Sequence, residues 1–146
     1  MSVGPDPTAT AAVTALVERY QTGFAALDPD VLVTIWDRDH DGLVYVAQEL
    51  AEPLHGWPAI EAYYRNVAVE HPAAEVLEMR VDDLTVDLLG DVAIAFGRFH
   101  FVGSLPGRDE PFVAEGRVTF VCHRVDGAWA VIHYHESAPP RSVVPE

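Results

Sequence analysis

The chain has little of what several classes of protein require. Its 146 residues include one cysteine, Cys122, which excludes an internal disulfide and any zinc cluster built from cysteines. Only 9 basic residues stand against 23 acidic ones, and the formal charge of −14 repels phosphate backbones and anionic lipid surfaces. We therefore expect no nucleic-acid partner and no membrane partner.

Long apolar runs are also missing. No stretch approaches the roughly 20 residues that a membrane-spanning helix needs. The opening MSVGPDPTAT lacks the basic and apolar segments of a secretion signal, so a cytoplasmic protein is expected. What the chain does have is hydrophobic residues, 49% of the total, enough to pack one core. We predict a single domain over 1–146, with flexible proline-rich ends at 1–7 and 138–146.

The first half of the chain predicts three helices. Apolar residues recur at helical spacing over 8–27, 28–37 and 56–67. Each segment has a proline at or near its start, where the missing amide would be unpaired in any case. The β-branched and aromatic run LVYVA, between the second and third segments, predicts a short strand.

The second half predicts one strand after another. The strands cover 75–89, 92–103, 112–124 and 128–137, with turns at Gly90-Asp91 and Asp126-Gly127. Helices followed by an antiparallel meander are typical of an α+β domain, with the helices packed on one face of the sheet.

The pairing of the last two strands decides which side chains lie inside. A two-residue turn would oppose Val125 to Ala128 and set Phe120 beside His133, whereas a three-residue loop slips the pairing by one residue. Only the longer loop sorts the apolar side chains onto one face, so we adopt it. It predicts an inner group of Phe120, Ile132, Tyr134 and Glu136, and an outer group that includes Arg117, Trp129, His133 and His135.

Residues 123–145, HRVDGAWAVIHYHESAPPRSVVP, resemble the closing hairpin of the association (hub) domain of calcium/calmodulin-dependent protein kinase II. They are also similar to SnoaL-like domains of the nuclear-transport-factor-two-like superfamily. DVAIAFGRFHF at 91–101 resembles the preceding strand of the hub, including Arg98, and GWPAIEAYYRNV at 56–67 is similar to the third SnoaL-like helix.

The resemblance implies a cone-shaped, cystatin-like α+β barrel, in which a curved antiparallel sheet wraps around three N-terminal helices and encloses a pocket. It also implies a homodimer through the outer sheet face, where Trp129, His133, His135 and Arg117 are expected. The pocket would bind a small organic molecule. The side chains expected to line it are Tyr45, Trp57, Tyr64, His100, Phe120 and Ile132.

Glu136, Arg98 and Tyr134 are the predicted catalytic residues. A carboxylate near the end of an apolar cavity is costly to ionise, so its pKa rises and it can act as a general acid or base. An adjacent Arg98 would oppose that rise, and Tyr134 could donate a hydrogen bond to a substrate oxygen. The alternative is a buried Arg–Glu ion pair that only closes the pocket.

The fold alone does not specify a reaction. A cofactor-free isomerase, cyclase or dehydratase is the leading interpretation, and a non-catalytic binding or hub-like assembly domain is its rival. In the hub pocket, cationic side chains bind a small carboxylate. Here only Arg98 matches one of these side chains. Phe120 and Glu136 stand where two other arginines would be, and Ile60 stands where a histidine would be. Some SnoaL-like carbonic anhydrases of the iota type end in a strand rich in histidine and serine. This chain instead has Tyr134 and Glu136 at the inward positions, which does not favour that activity.

Two metal sites can also be considered. His133 and His135 could share an ion, with His123 as the only obvious third ligand, but a dimer interface explains them without a metal. DRDHDG at 37–42 nearly opens a calcium loop, yet the twelfth position is Gln48, and a strand-like run follows where a helix should begin. We expect an acidic turn at 37–42 and no bound metal.

Overall fold

The computed structural model describes residues 6–67 and 75–139. Most of the two predicted flexible ends therefore lies outside the described residues. None of the helices in the described part of the chain is both long and apolar enough to cross a bilayer.

The predicted helices are present, and their starts follow the predicted signals. Helix α1 covers Pro7–Ala25, and the side chain of Asp6 accepts hydrogen bonds from the first free amides of the helix. Helix α3 covers Trp57–Arg65. Helix α2 is shorter than predicted: it covers Pro29–Leu32 and continues as a 3-10 turn over Val33–Ile35.

The early end of α2 has a structural cause. Trp36 is extended instead of helical and bridges Val131 in a parallel sense, and the amide of Asp37 donates to the carbonyl of Val131. The segment that follows α2 is therefore held against the edge of the sheet, with the Trp36 side chain buried in the core.

Six strands form one curved sheet that does not close. They are β1 (Val44–Val46), β2 (Leu54–His55), β3 (Glu75–Leu89), β4 (Val92–Ser104), β5 (Phe112–Val125) and β6 (Ala128–Ser137). Their order is β2-β1-β6-β5-β4-β3, so the α+β class is confirmed. The short β2 was not predicted, and β1 pairs with β6 in parallel, whereas a wholly antiparallel sheet was expected.

The hairpin between β5 and β6 corrects the predicted register. Val125 opposes Ala128 across a two-residue turn in which Asp126 and Gly127 have φ angles of 52° and 82°, so the three-residue loop is wrong. A β-bulge then adds Ile132 to β6, and beyond it Phe120 opposes Tyr134. Phe120 and Tyr134 therefore share one face, as predicted. The bulge shifts the pairing by one residue in the direction opposite to the predicted loop, and either shift places Phe120 and Tyr134 on the same face.

The position of the bulge reverses part of the predicted sorting. Between the turn and the bulge, Trp129 and Val131 turn inward: Val131 is fully buried, and Trp129 packs on the core. The prediction that Trp129 lies on the outer face is therefore wrong. Ile132, predicted inside, is the half-buried bulge residue.

Candidate functional site

A cavity of about 230 Å³ opens between α1, the loop after β1, and the sheet. One wall is apolar and consists of Phe24, Met79, Phe99, Phe101, Phe112 and Ala114. The other wall carries the polar groups: Tyr20, Gln48, Glu49, Tyr134 and Glu136. A cavity of about 150 Å³ already accommodates benzene, so this one has room for a substituted aromatic ring.

Glu136 lies on the polar wall near the end of β6. The hydroxyl of Tyr134 donates a 2.7 Å hydrogen bond to its Oε1, and the backbone N–H of Gln48 also donates to its carboxylate. Burial, helped by the negative charge of Glu49, raises the pKa of Glu136 to about 8, although the two hydrogen bonds oppose the rise. Near neutral pH this carboxyl group therefore carries a proton that it can give up or take back.

A chain of tyrosine hydroxyls leads from Glu136 into the core. Tyr20 donates to the hydroxyl of Tyr134 over 2.9 Å, and the hydroxyls of Tyr20 and Tyr45 are 3.1 Å apart. The rings of Tyr45 and Tyr134 are stacked with centroids 4.7 Å apart. Burial raises the pKa of all three tyrosines, so their hydroxyls remain protonated and hold the Glu136 carboxyl in place.

Glu49 is the second carboxylate of the cavity, and sequence reasoning missed it as a site residue. It is exposed in the loop after β1, and it accepts a hydrogen bond from the hydroxyl of Tyr63 on α3. The parallel pair Val46–His135 brings the residues that follow both strands together. No local pattern near Glu49 indicates that pairing, so only long-range contact information would have identified it.

Because Gly116 has no side chain, Ser137, Gln48 and Phe99 can pack closely around it at the cavity. A Cβ on Gly116 would lie 2.4 Å from the carbonyl oxygen of Ser137, 2.5 Å from Nε2 of Gln48, and 2.7 Å from Cε1 of Phe99. Any side chain here would therefore push apart the end of β6, the Gln48 amide and the apolar wall.

The predicted neighbour of Glu136, Arg98, is on the opposite face of the sheet. Alternation along β4 turns Phe99 and Phe101 inward, and Arg98 outward, where its Nη2 lies 2.8 Å from Oδ2 of Asp83. The Arg98 side chain is 69% exposed. The predicted Arg98–Glu136 pair is therefore wrong, and no other arginine of residues 6–67 and 75–139 lines the cavity to hold Glu136 ionised.

His100, predicted to line the pocket, shares the outer face with Arg98. Its ring nitrogens are 3.6 Å and 3.7 Å from carboxylate oxygens of Glu78 and Glu115. Its assignment to the pocket is wrong for the same reason as that of Arg98, because both side chains point away from the helices.

The remaining predicted lining residues stand behind the cavity or away from it. Tyr45, Tyr64 and Phe120 are fully buried core residues. The rings of Tyr20 and Tyr134 pack edge-on against Phe120 and separate it from the cavity. Trp57 packs at the start of α3 beneath the guanidinium of Arg38, 5.7 Å from its ring centroid, and does not reach the cavity.

The histidines of the closing strand face outward as predicted. His133 and His135 have ring centroids 6.1 Å apart, and burial together with His135 lowers the pKa of His133. His123 instead contacts Asp37, with Nε2 and Oδ2 2.5 Å apart. Within 6–67 and 75–139, no three histidine, cysteine or acidic side chains are grouped to hold a metal ion.

The sequence profile of SnoaL-like domains matches residues 13–141. The chain belongs to the SnoaL-like domain family. No curated protein matches it.

Solved structures share the fold across almost the whole SnoaL-like chain. A nuclear transport factor 2-like superfamily protein of Salmonella enterica has 18% identity and a TM-score of 0.78, with 95% of this chain and 98% of that one covered. A putative calcium/calmodulin-dependent protein kinase II association domain of Xanthomonas campestris has 24% identity and a TM-score of 0.73, with 97% and 95% covered. A putative scytalone dehydratase of Novosphingobium aromaticivorans has 12% identity and a TM-score of 0.75, with 91% and 85% covered. The predicted resemblance is thus confirmed.

Proposed function

We propose that this SnoaL-like domain binds a small organic molecule in the cavity and acts on it by cofactor-free proton transfer through Glu136. The observation that carries the proposal is the desolvated carboxyl group of Glu136, whose pKa of about 8 lies close to a physiological pH. A general acid or base works best when its pKa is near the operating pH. Glu136 donates a proton below that value and accepts one above it.

Tyr134 holds this carboxyl group in position. Its hydroxyl donates to Glu136 and accepts from Tyr20, so both of its usual hydrogen bonds are already made inside the protein. Tyr134 is thus a positioning residue for the carboxyl group. Its predicted role as a donor to substrate would require it to release Glu136.

Covalent chemistry has little support from the side chains of this protein. The sequence contains no lysine, so no lysine Schiff base can form. Cys122 is fully buried, and burial raises the pKa of its thiol to about 12, far from the reactive thiolate. Proton transfer is the chemistry that the described cavity residues support best, and it suits isomerisation, cyclisation or dehydration.

The fold neighbours support two classes of function. The name of the Novosphingobium protein refers to a dehydratase, which agrees with a reaction by proton transfer. The name of the Xanthomonas protein refers to an association domain, which supports assembly as the second candidate. The mass of the protein in solution separates the two, because a ring of many subunits favours assembly. The low cysteine content fits a cytoplasmic location.

The catalytic proposal can be tested without knowledge of the natural substrate. The ring of 5-nitrobenzisoxazole opens when a base removes the proton from carbon 3 and the N–O bond breaks, which gives a coloured nitrile phenolate. We expect the wild-type rate to rise with pH around a midpoint near 8, the pKa of Glu136. Glu136→Gln should lower the rate roughly 100-fold or more, as is typical for loss of a general base.

Glu110→Gln is the matched control, because Glu110 is exposed in the loop between β4 and β5 and away from the cavity. It should retain the wild-type rate and pH profile. A folded Glu136→Gln variant that retains the wild-type rate would remove the catalytic role from Glu136.

A further inference from the structure

Within the described residues, the cavity has two carboxyl groups and no basic side chain. Glu49 and Glu136 both line it, and none of the arginines in 6–67 and 75–139 does. Arg80 pairs with Glu78 and Asp82, and Arg98 pairs with Asp83. Arg19, which precedes Tyr20, is exposed and does not line the cavity. An anionic ligand would therefore meet two carboxyl groups without a compensating cation, so this site selects against anions.

The apolar wall of the cavity is mainly aromatic. The rings of Phe101 and Phe112 are 5.7 Å apart, and those of Phe24 and Phe101 are 6.3 Å apart. The faces of aromatic rings carry negative potential and attract organic cations, most strongly where water is excluded. Aromatic rings and carboxylates in one small cavity are complementary to a single class of ligand.

We propose that the ligand of this cavity is an organic cation, a substituted ammonium group on an apolar body, with the ammonium group beside Glu49 and Glu136. The apolar body would contact the rings of Phe99, Phe101 and Phe112. This inference rests on the proposed function, because it names the substrate class of the same site.

A bound cation also changes the protonation of Glu136. The titratable groups that face its carboxyl are Glu49 from the loop after β1, Tyr134 from β6, Tyr20 from α1, and Tyr63 and Tyr64 from α3. These tyrosines are neutral and Glu49 is negative, so an incoming ammonium group adds a positive charge that none of the described cavity residues provides. It favours the carboxylate and drives the proton into solvent.

Through this proton release, the charge of the ligand determines whether Glu136 is an acid or a base. Without ligand Glu136 is mostly protonated at pH 7, because its pKa is about 8. With a cation bound it becomes a carboxylate, so a cationic substrate converts the acid into the base that the reaction needs. A neutral substrate would leave the acid form in place.

Titration calorimetry with benzyltrimethylammonium tests the inference. This probe has no proton to lose, so any proton released on binding comes from the protein. Titrations at pH 7 in buffers with different ionisation enthalpies measure that number, and we expect about one proton per ligand. Benzyl alcohol and phenylacetate supply the neutral and anionic comparisons, and we expect both to bind roughly ten-fold more weakly or worse.

Single substitutions distinguish the effects of the two carboxyl groups on proton release and on affinity. Glu136→Gln should abolish proton release, and Glu49→Gln should weaken binding of the cation several-fold while benzyl alcohol binds as before. Glu49 is exposed, so its replacement leaves the core intact. Glu110→Gln should match the wild type in both measurements, and circular dichroism checks the folding of each variant.

Equal affinity for benzyl alcohol, tighter binding of phenylacetate, or binding without proton release would each overturn the inference. Ring opening of nitrobenzisoxazole that depends on Glu136, without any preference for the cation, would overturn this inference alone. A preference for the cation without that ring opening would overturn the catalytic proposal and leave a receptor for organic cations.

Discussion

The hydroxyl of Tyr134 donates a 2.7 Å hydrogen bond to Oε1 of Glu136, two residues farther along β6. Residues two apart on a strand share a face, so the pairing follows from strand geometry once Tyr134 faces inward. This hydrogen bond lowers the pKa of Glu136 and opposes the larger effect of burial. The acid–base group and the residue that tunes it are thus adjacent on one strand.

Tyr134→Phe should raise the pKa of Glu136 above its value of about 8, because the variant removes a donor to the carboxylate and retains the burial. We also expect a loss of about 1 kcal/mol of stability, since the Tyr20 hydroxyl loses its acceptor. Carbon-13 NMR of the glutamate carboxyl groups follows the titration. Tyr45→Phe is the control, because two other hydroxyls separate Tyr45 from Glu136. An unchanged or lower pKa in Tyr134→Phe would contradict this account.

Glu136 should also make stability depend on pH. Its pKa in the folded protein, about 8, lies above the ordinary 4.5, so the folded state binds more protons than the unfolded state between these values. The free energy of unfolding therefore falls as pH rises through this window and then levels off. After allowance for the partial exposure of Glu136, we expect a fall of about 2–3 kcal/mol.

Urea unfolding of the wild type and Glu136→Gln across pH 4.5 to 9 measures this contribution. The difference in stability between the two should move in favour of the glutamine variant as pH rises. Glu110→Gln should follow the wild-type curve, because Glu110 is exposed. Parallel curves for the wild type and Glu136→Gln would show that the carboxyl group titrates as it does in the unfolded chain.

Gly116→Ala should damage the cavity wall and the fold together. The added methyl group would lie within 2.7 Å of three atoms, and one of them is the backbone carbonyl oxygen of Ser137, which cannot swing away. We expect a loss of about 2 kcal/mol, typical of overpacking, and weaker ligand binding at the displaced Gln48. Gly42→Ala is the control, since its nearest contact is 3.5 Å from His40. A fully stable Gly116→Ala variant would contradict the close packing of this wall.

Much of the fold could be predicted from local patterns. The bounds predicted for the strands Glu75–Leu89 and Ala128–Ser137 are those observed, because alternation and turn residues mark the ends of long strands. The inward direction of Tyr134 and Glu136 was also predicted, but for the wrong reason. Because one face of the sheet must be apolar, the pairing of β5 with β6 had to be shifted by one residue. The sequence does not show whether the turn or a bulge at Ile132 causes that shift.

The two errors at the site have different causes. Arg98 was placed inside by resemblance, whereas the alternation of β4 around Phe99 and Phe101 assigns it to the outer face. Glu49 was missed because its approach to Glu136 depends on the parallel pairing of β1 and β6, which join parts of the chain about ninety residues apart. The pairing of β1 with β6 leaves no periodic signal in the sequence, whereas the alternation along β4 does and could have placed Arg98 correctly.

The outer face of the sheet leads to a last prediction, a homodimer. The cross-strand pairs Ile94–Val121 and Phe96–Thr119 form an apolar strip there, and His133 lies beside Val121. Phe96 is 44% exposed, which is unusual for a phenylalanine in the middle of a long strand. We therefore expect sedimentation equilibrium to give twice the 16.0 kDa mass of the chain.

Phe96→Glu should convert this dimer into monomers, because two apposed copies would bury the new carboxylates against the strip. Leu77→Glu is the control: Leu77 is somewhat more exposed than Phe96 but lies at a bulge in β3, away from the strip, and its replacement should leave the mass unchanged. A wild-type protein that sediments at 16.0 kDa would refute the dimer. A much larger mass that survives Phe96→Glu would instead favour assembly through another surface, and with it the second candidate function.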